Sequence, residues 1–152
     1  MGIRSVVNPV FVLLAAMTLF GCANPIKSPT ASVEDVRLLD LDSEAANVIV
    51  VLKVSNPNGV DVSVSNIKAA FFLAGQEVAT VQALQNKHTL PARGSLSIPM
   101  RARVPLKTLP EAVRRSVIAL MRFDLPYRVS GSVDVVNGLV TVPFEKSGNF
   151  AR

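Results

Sequence analysis

Cysteine and histidine are nearly missing from this 152-residue chain and aromatic residues are few, with one Cys, one His, one Tyr, seven Phe and no Trp. The lone Cys22 rules out an internal disulfide, so burial alone has to hold the fold. A single His and a single Cys also leave no zinc-type ligand set, and no metal is expected. A nucleophilic site would have to join His88 to Ser95 or Ser97 and a distant carboxylate, and no spacing singles out such a set. A solvent-facing histidine in a polar loop is the simpler reading. Asp40, Asp42 and Glu44 alternate at a strand end but lack the glycine-centred loop that calcium coordination uses. No glycine-rich phosphate loop occurs. The chain is read as a non-enzyme with no cofactor. Its net charge of +5 comes without aromatic residues interleaved among the basic ones, so nucleic acid is not an expected partner.

What the chain does have is aliphatic bulk. Hydrophobic residues make up 49% of it, enough for one domain with a real core behind a short leader. Val48, Val50, Leu52 and Val54 recur at every second position, and Val60, Val62 and Val64 repeat the pattern. That period marks half-buried strands. Between them, Pro57 fixes its own φ, biases Asn56 toward extended backbone and offers no ladder donor. Asn58 and Gly59 tolerate positive φ, so the stretch predicts a hairpin at the centre of an antiparallel sheet.

Residues 33–41 form an earlier strand, with Val36 and Leu38 inward and acidic neighbours suited to an edge. Strands over 46–56, 60–73 and 77–84 follow, with a bulge at 66–68, a turn at Gly75-Gln76 and a polar loop over 85–94. Leu96, Ile98, Met100, Ala102, Val104 and Leu106 then alternate without a break, while Pro99 and Pro105 on the other face suggest an edge or an interruption. Thr108 and Glu111 have capping-box spacing, and Leu109, Val113, Val117, Leu120 and Met121 form one helical stripe. Asn137-Gly138 turns a final hairpin between 125–136 and 139–144, and residues 147–152 read as a frayed tail. Seven short strands and one helix over residues 33–146 predict an all-β fold, an antiparallel β-sandwich of the immunoglobulin or fibronectin-III kind.

Residues 1–21 read as an export signal. Arg4 supplies a positive start, and Val10 to Phe20 is an uncharged run of eleven, too short to span a bilayer as a helix. The run ends in Leu19-Phe20-Gly21-Cys22, which resembles a bacterial lipobox. That resemblance implies cleavage after Gly21, a diacylglyceryl thioether and an acylated amine on Cys22, and stable membrane attachment through chains such as palmitate. Ala23 after the Cys points, by analogy with enterobacterial sorting, to the outer membrane, facing the periplasm. Residues 22–32 are then a tether, rich in Pro and small polar residues. An ordinary secretory signal with a coincidental Cys, or an uncleaved anchor, is the competing reading.

The apolar strand running into Asn56-Pro57-Asn58 resembles the signature of the WHy (water stress and hypersensitive response) domain of the LEA-14, or LEA type 2, family. Tyr127-Arg128-Val129-Ser130-Gly131 is similar to that family's late Tyr-x-apolar-x-Gly strand, and Val140 to Phe144 to its closing strand. The resemblance covers about residues 33–146 and implies the same sandwich and a role in stress. The same turn is also explained by chain reversal alone.

Basic residues gather late in the chain. Arg101, Arg103, Lys107, Arg114, Arg115, Arg122 and Arg128 outnumber Glu111 and Asp124 over that stretch. They read either as a solvated face or as a patch for anionic head groups or an acidic partner. Two functions follow. One is a membrane-anchored stress protein that limits denaturation or aggregation of unfolding client proteins in the bacterial cell envelope. It has to act as a folded domain, because the composition is too apolar for disorder. The other is an assembly lipoprotein that docks an envelope protein or lipid through the basic rim or an exposed strand edge.

Overall fold

A computed structural model describes residues 25–120 and 125–150, with the backbone alone over residues 116–120. The described residues form eight strands: β1 (Thr30–Leu41), β2 (Ala45–Ser55), β3 (Val62–Leu73), β4 (Gln76–Ala83), β5 (Lys87–Leu90), β6 (Ser95–Pro105), β7 (Leu125–Val135) and β8 (Val140–Phe150). A 3-10 turn at Leu106–Thr108 and helix α1 (Glu111–Leu120) lie between β6 and β7. Every ladder is antiparallel along the path β1-β2-β6-β4-β3-β7-β8, with β5 on β3.

Alternation drives the burial. Val48, Val50, Leu52 and Val54 of β2 face inward, as do Ile98, Met100, Ala102 and Val104 of β6, and the two strands pair along their whole length. A sheet with one apolar face can hide it against a second sheet or by curling on itself. Here one continuous sheet curls until β1 and β8 lie side by side, where Lys146 Nζ donates to the Glu34 carbonyl at 3.0 Å. Among the described residues no ladder joins these two strands, so the barrel is nearly closed. The fold is all-β and antiparallel as expected, but it is a single curled sheet of eight strands. It is not clearly the expected two-layer sandwich of about seven.

Several local expectations change for physical reasons. The apolar stretches around Asn56-Pro57-Asn58 are not partners: β2 pairs with β1 and β6, whereas β3 pairs with β4, β5 and β7. Residues 56–61 are therefore a crossing link, and neither Asn58 nor Gly59 has positive φ. Val60 lies outside β3 and is 57% exposed. The eighth strand, β5, falls in the expected loop; only Leu90 in it is buried, too weak an alternation to read. His88 sits on that strand opposite Val64, with Nε2 3.1 Å from the Gln85 carbonyl. In β1, register shifts after Val33 and Leu38 leave Val33 buried and Val36 half-buried, and turn Leu38 outward. The tail does not fray at Lys146, since β8 continues to Phe150 against β7. At the other end, β1 begins at Thr30, inside the expected tether.

The expected bulge and last hairpin stand, whereas the expected edge strand and capping box do not. β3 has its bulge between Ser65 and Lys68, with Asn66 at φ 48°. The β7–β8 hairpin turns through Val136, Asn137 and Gly138, all at positive φ. β6 is interior rather than an edge, but β4 covers only its Met100–Ala102 segment, so Pro99 and Pro105 lie where no second ladder asks for an N–H. No capping box forms. The Thr108 hydroxyl donates to the Pro105 carbonyl, and the Glu111 carboxylate accepts from Arg115. Leu109 and Val113 pack on the core; Val117 and Leu120 side chains and Met121 lie outside what is described.

The strand directions define two poles. Residues 25–29, 56–61, 91–94 and 136–139 meet at one, where the described chain enters the barrel. Residues 42–44, the Ala74-Gly75 turn and the described part of the link after β6, residues 106–120, lie at the other.

Candidate functional site: an asparagine corner and a basic face

Asn56 and Asn58 are the buried polar residues among those described, at 3% and 9% exposure. Burying a carboxamide is costly unless its donors and acceptors are met. Here they are. The Asn56 backbone N–H extends the ladder by donating to Gly94 O at 2.8 Å. Its Nδ2 donates to Val60 O at 2.8 Å and to Pro91 O at 3.2 Å. Its Oδ1 accepts from the Asn58 backbone N–H and from Asn58 Nδ2, both at 3.0 Å. Pro57 sits between, where its fixed φ and missing N–H suit a sharp link with no ladder partner. The corner thus spends its hydrogen bonds inside the protein.

Asn58 then reaches outward along the chain. Its Oδ1 accepts from the Lys27 N–H and its Nδ2 donates to the Lys27 carbonyl, each at 2.7 Å. The carboxamide mimics one rung of a β-ladder and clamps a segment 31 residues earlier. Its own carbonyl accepts from Arg93 N–H at 2.8 Å, and Arg93 holds a strained φ of 53°. A side chain on Gly59 would touch that guanidinium at 3.8 Å.

Tyr127 and Gly131 do not join this corner; both are on β7, with Tyr127 at the opposite pole. Tyr127 lies 4.7 Å from the Phe150 ring and 6.3 Å from Phe71, and burial raises its hydroxyl pKa. Gly131 has a steric reason to lack a side chain: a Cβ would stand 2.3 Å from Lys68 O, where β7 crosses the β3 bulge. Gly21 and Cys22 lie outside the described residues.

The basic residues separate into two groups. Lys107 pairs with Glu44 at 2.9 Å and Arg115 with Glu111, both exposed pairs worth little individually. Arg114 is half-buried on α1. Arg101 and Arg103 stand on the outward face of β6 with no ion pair among the described residues, beside Ile49 and Asn47 of β2. With Asn47, Thr80, Gln82 and exposed Leu84 they line an open cleft of about 540 Å³. The acidic run serves a turn, Asp42 Oδ1 accepting from Glu44 N–H at 2.7 Å and Ala45 N–H at 2.8 Å. Those backbone donors, Ala45 first, hold its carboxyl below the ordinary value. Among the described residues no group of His, Cys, Asp or Glu is arranged to hold a metal ion.

Sequence reasoning missed Lys27, Val60, Pro91 and Gly94, the backbone partners of the corner. They lie up to 38 residues away, the span from Asn56 to Gly94, and contribute backbone carbonyls and amides, which carry no side-chain signal.

The family model described as late embryogenesis abundant protein matches residues 51–148, from mid-β2 almost to the end of β8. The chain belongs to the type 2 late embryogenesis abundant family. The match spans the asparagine corner and the Tyr127–Gly131 strand, but not the Lys27 segment that the corner clamps. No curated protein matches the sequence. Among solved structures, an Arabidopsis thaliana protein determined in solution superposes with a TM-score of 0.62 at 23% identity, covering 84% of each chain. An Archaeoglobus fulgidus crystal structure gives 0.54 at 14% identity over 84% of this chain and 98% of that one. A Bacteroides uniformis β-glucuronidase gives 0.51 at 11% identity, covering 80% of this chain but 14% of the enzyme. At such identities these likenesses concern the fold alone, and the last concerns one part of a much larger enzyme.

Proposed function

We propose that this late embryogenesis abundant protein is a membrane-anchored, non-enzymatic stress protein that limits denaturation or aggregation of client proteins in the cell envelope. Membership of the family over residues 51–148 is the observation that carries the reading. The protein acts as a folded barrel rather than a flexible chain, since most of its described apolar side chains pack into one core. Shielding needs surface and no reaction, and the Asn56-Pro57-Asn58 corner suits it as a device that holds the entry pole together. Acyl chains on Cys22 attach the domain to the membrane, with the outer membrane facing the periplasm as the proposed location. The test is freeze-thaw of a labile enzyme with equimolar protein from Ala23 onward, against serum albumin. Residual activity above the albumin control is expected. Protection no better than albumin's sinks the shielding function.

A second reading rests on Arg101 and Arg103, the two of the five candidate patch residues on β6 and without ion pairs among the described residues. Beside exposed Leu84 and the cleft they suit an acidic protein partner rather than the membrane. Arg101→Glu with Arg103→Glu would abolish capture of such a partner while leaving freeze-thaw protection intact.

A further inference from the structure

The clamp on Lys27 fixes where the chain enters the barrel. Lys27 lies five residues after Cys22, and extended chain spans at most about 3.6 Å per residue, so a lipid on Cys22 is within about 18 Å of the clamp. The far pole is more distant by the length of an eleven-residue strand, about 36 Å if fully along the axis. The two poles also differ in character. At the entry pole Ile26, Val60 and Leu139 are 59%, 57% and 81% exposed. Lys27 and Arg93 stand among them. The acidic groups nearby are already engaged: Asp61 accepts from Ala92 N–H at 2.8 Å, and Asp134 from Thr141 and Asn66. At the far pole Asp40, Asp42, Glu44 and Glu111 are exposed, Glu44 and Glu111 in ion pairs with Lys107 and Arg115. Leu38, Leu39 and Leu41 are exposed there too, but beside those carboxylates.

We infer that the entry pole is a bilayer-facing surface, oriented by the Asn58 clamp, with Ile26, Val60 and Leu139 in the head-group layer and Lys27 and Arg93 on lipid phosphates. The inference rests on the anchoring of Cys22 proposed above. Its occupant is the membrane that carries the chain's own anchor, because the short span from Cys22 leaves that pole close to the lipid. Apolar side chains flanked by cations are the composition that interfacial binding uses. Lys107, Arg114 and Arg115 then point away from that membrane.

The test uses the full chain expressed with its leader and reconstituted in phosphatidylethanolamine–phosphatidylglycerol vesicles. Lipidation consumes the Cys22 thiol, so Leu139→Cys and Ser43→Cys each give one site for an environment-sensitive fluorophore. Spin-labelled lipid is expected to quench the label at position 139 about three-fold more than the one at 43, as a shallow interfacial contact requires. Asn58→Ala, or Lys27→Pro if that variant folds poorly, should remove the contrast without stopping flotation. Flotation with equal quenching at both sites overturns the bilayer-facing pole and leaves anchoring intact. A chain that floats no better than Cys22→Ser overturns the anchoring, and this inference with it. A contrast that survives both clamp variants refutes the orienting role of Asn58.

Discussion

Replacing Asn56 by Ala should cost more than replacing Asn58, although both are buried at the same corner. The Asn56 carboxamide makes four hydrogen bonds, two to carbonyls and two from Asn58. Each is worth about 1 kcal/mol net, and a buried N–H or carbonyl left alone costs about 1–3 kcal/mol more. Asn56→Ala deletes all four, for a loss of at least about 4 kcal/mol before the cost of the Asn58 backbone N–H that it strands. Asn58→Ala deletes three, but two of those serve the Lys27 backbone, which water can solvate near the surface, so about 2 kcal/mol is expected. For a domain of this size 1 kcal/mol moves Tm by about 2–4 °C, so the two variants should melt lower by roughly 8–16 °C and 4–8 °C. Urea denaturation of the protein from Ala23 onward reads both values. Removing residues 23–29 closes a double-mutant cycle, in which Asn58→Ala should lose about half its cost. An Asn56→Ala variant within about 1 kcal/mol of the parent, or an Asn58→Ala variant that is the worse of the two, would refute this account.

Two further outcomes follow from local geometry. Gly131→Ala should destabilise by about 2–3 kcal/mol through overpacking, because its Cβ would stand 2.3 Å from Lys68 O. Gly138→Ala, at φ 81° with nothing within 4 Å, should cost only about 1 kcal/mol, and equal melting of the two variants would contradict the steric argument. Asp42 has a carboxyl pKa lowered below 3.8 by the Ala45 and Glu44 amides, so its contribution is present above that value and fades as pH falls through the folded one. The gap in urea midpoint between the parent and Asp42→Asn should therefore be open at neutral pH and close in acid. A gap independent of pH would show that the carboxylate charge is irrelevant.

Strands were legible here wherever one face alternates for long enough. β6 alternates over its whole length and β2 nearly so, and the Asn137-Gly138 turn has its own chemistry. Partnership was less legible. Val54 and Val62 are a few residues apart, yet β6 and β4 lie between their strands, because the order of strands is set by long-range burial that no local period encodes. The motif around Pro57 was visible as punctuation, but its meaning changed. A reversal would need positive φ there, whereas the chain uses two carboxamides to hold a crossing. β5 and the last residues of β8 were hidden for different reasons: one has too few apolar residues, and the other ends in Phe150, whose contact is with Tyr127 on the neighbouring strand.

The path from β1 to β8 contains seven strands and six reversals, an odd count whose first and last members must run the same way. Parity alone then denies the barrel the antiparallel zipper that holds its other neighbours. The seam is held by contacts such as Lys146 on the Glu34 carbonyl, so it is the line along which the cylinder should breathe first. Amide protons on the facing edges of β1 and β8 would exchange ahead of those in the β2–β6 wall, and an unfurling begun there would expose the valine lining one strand at a time.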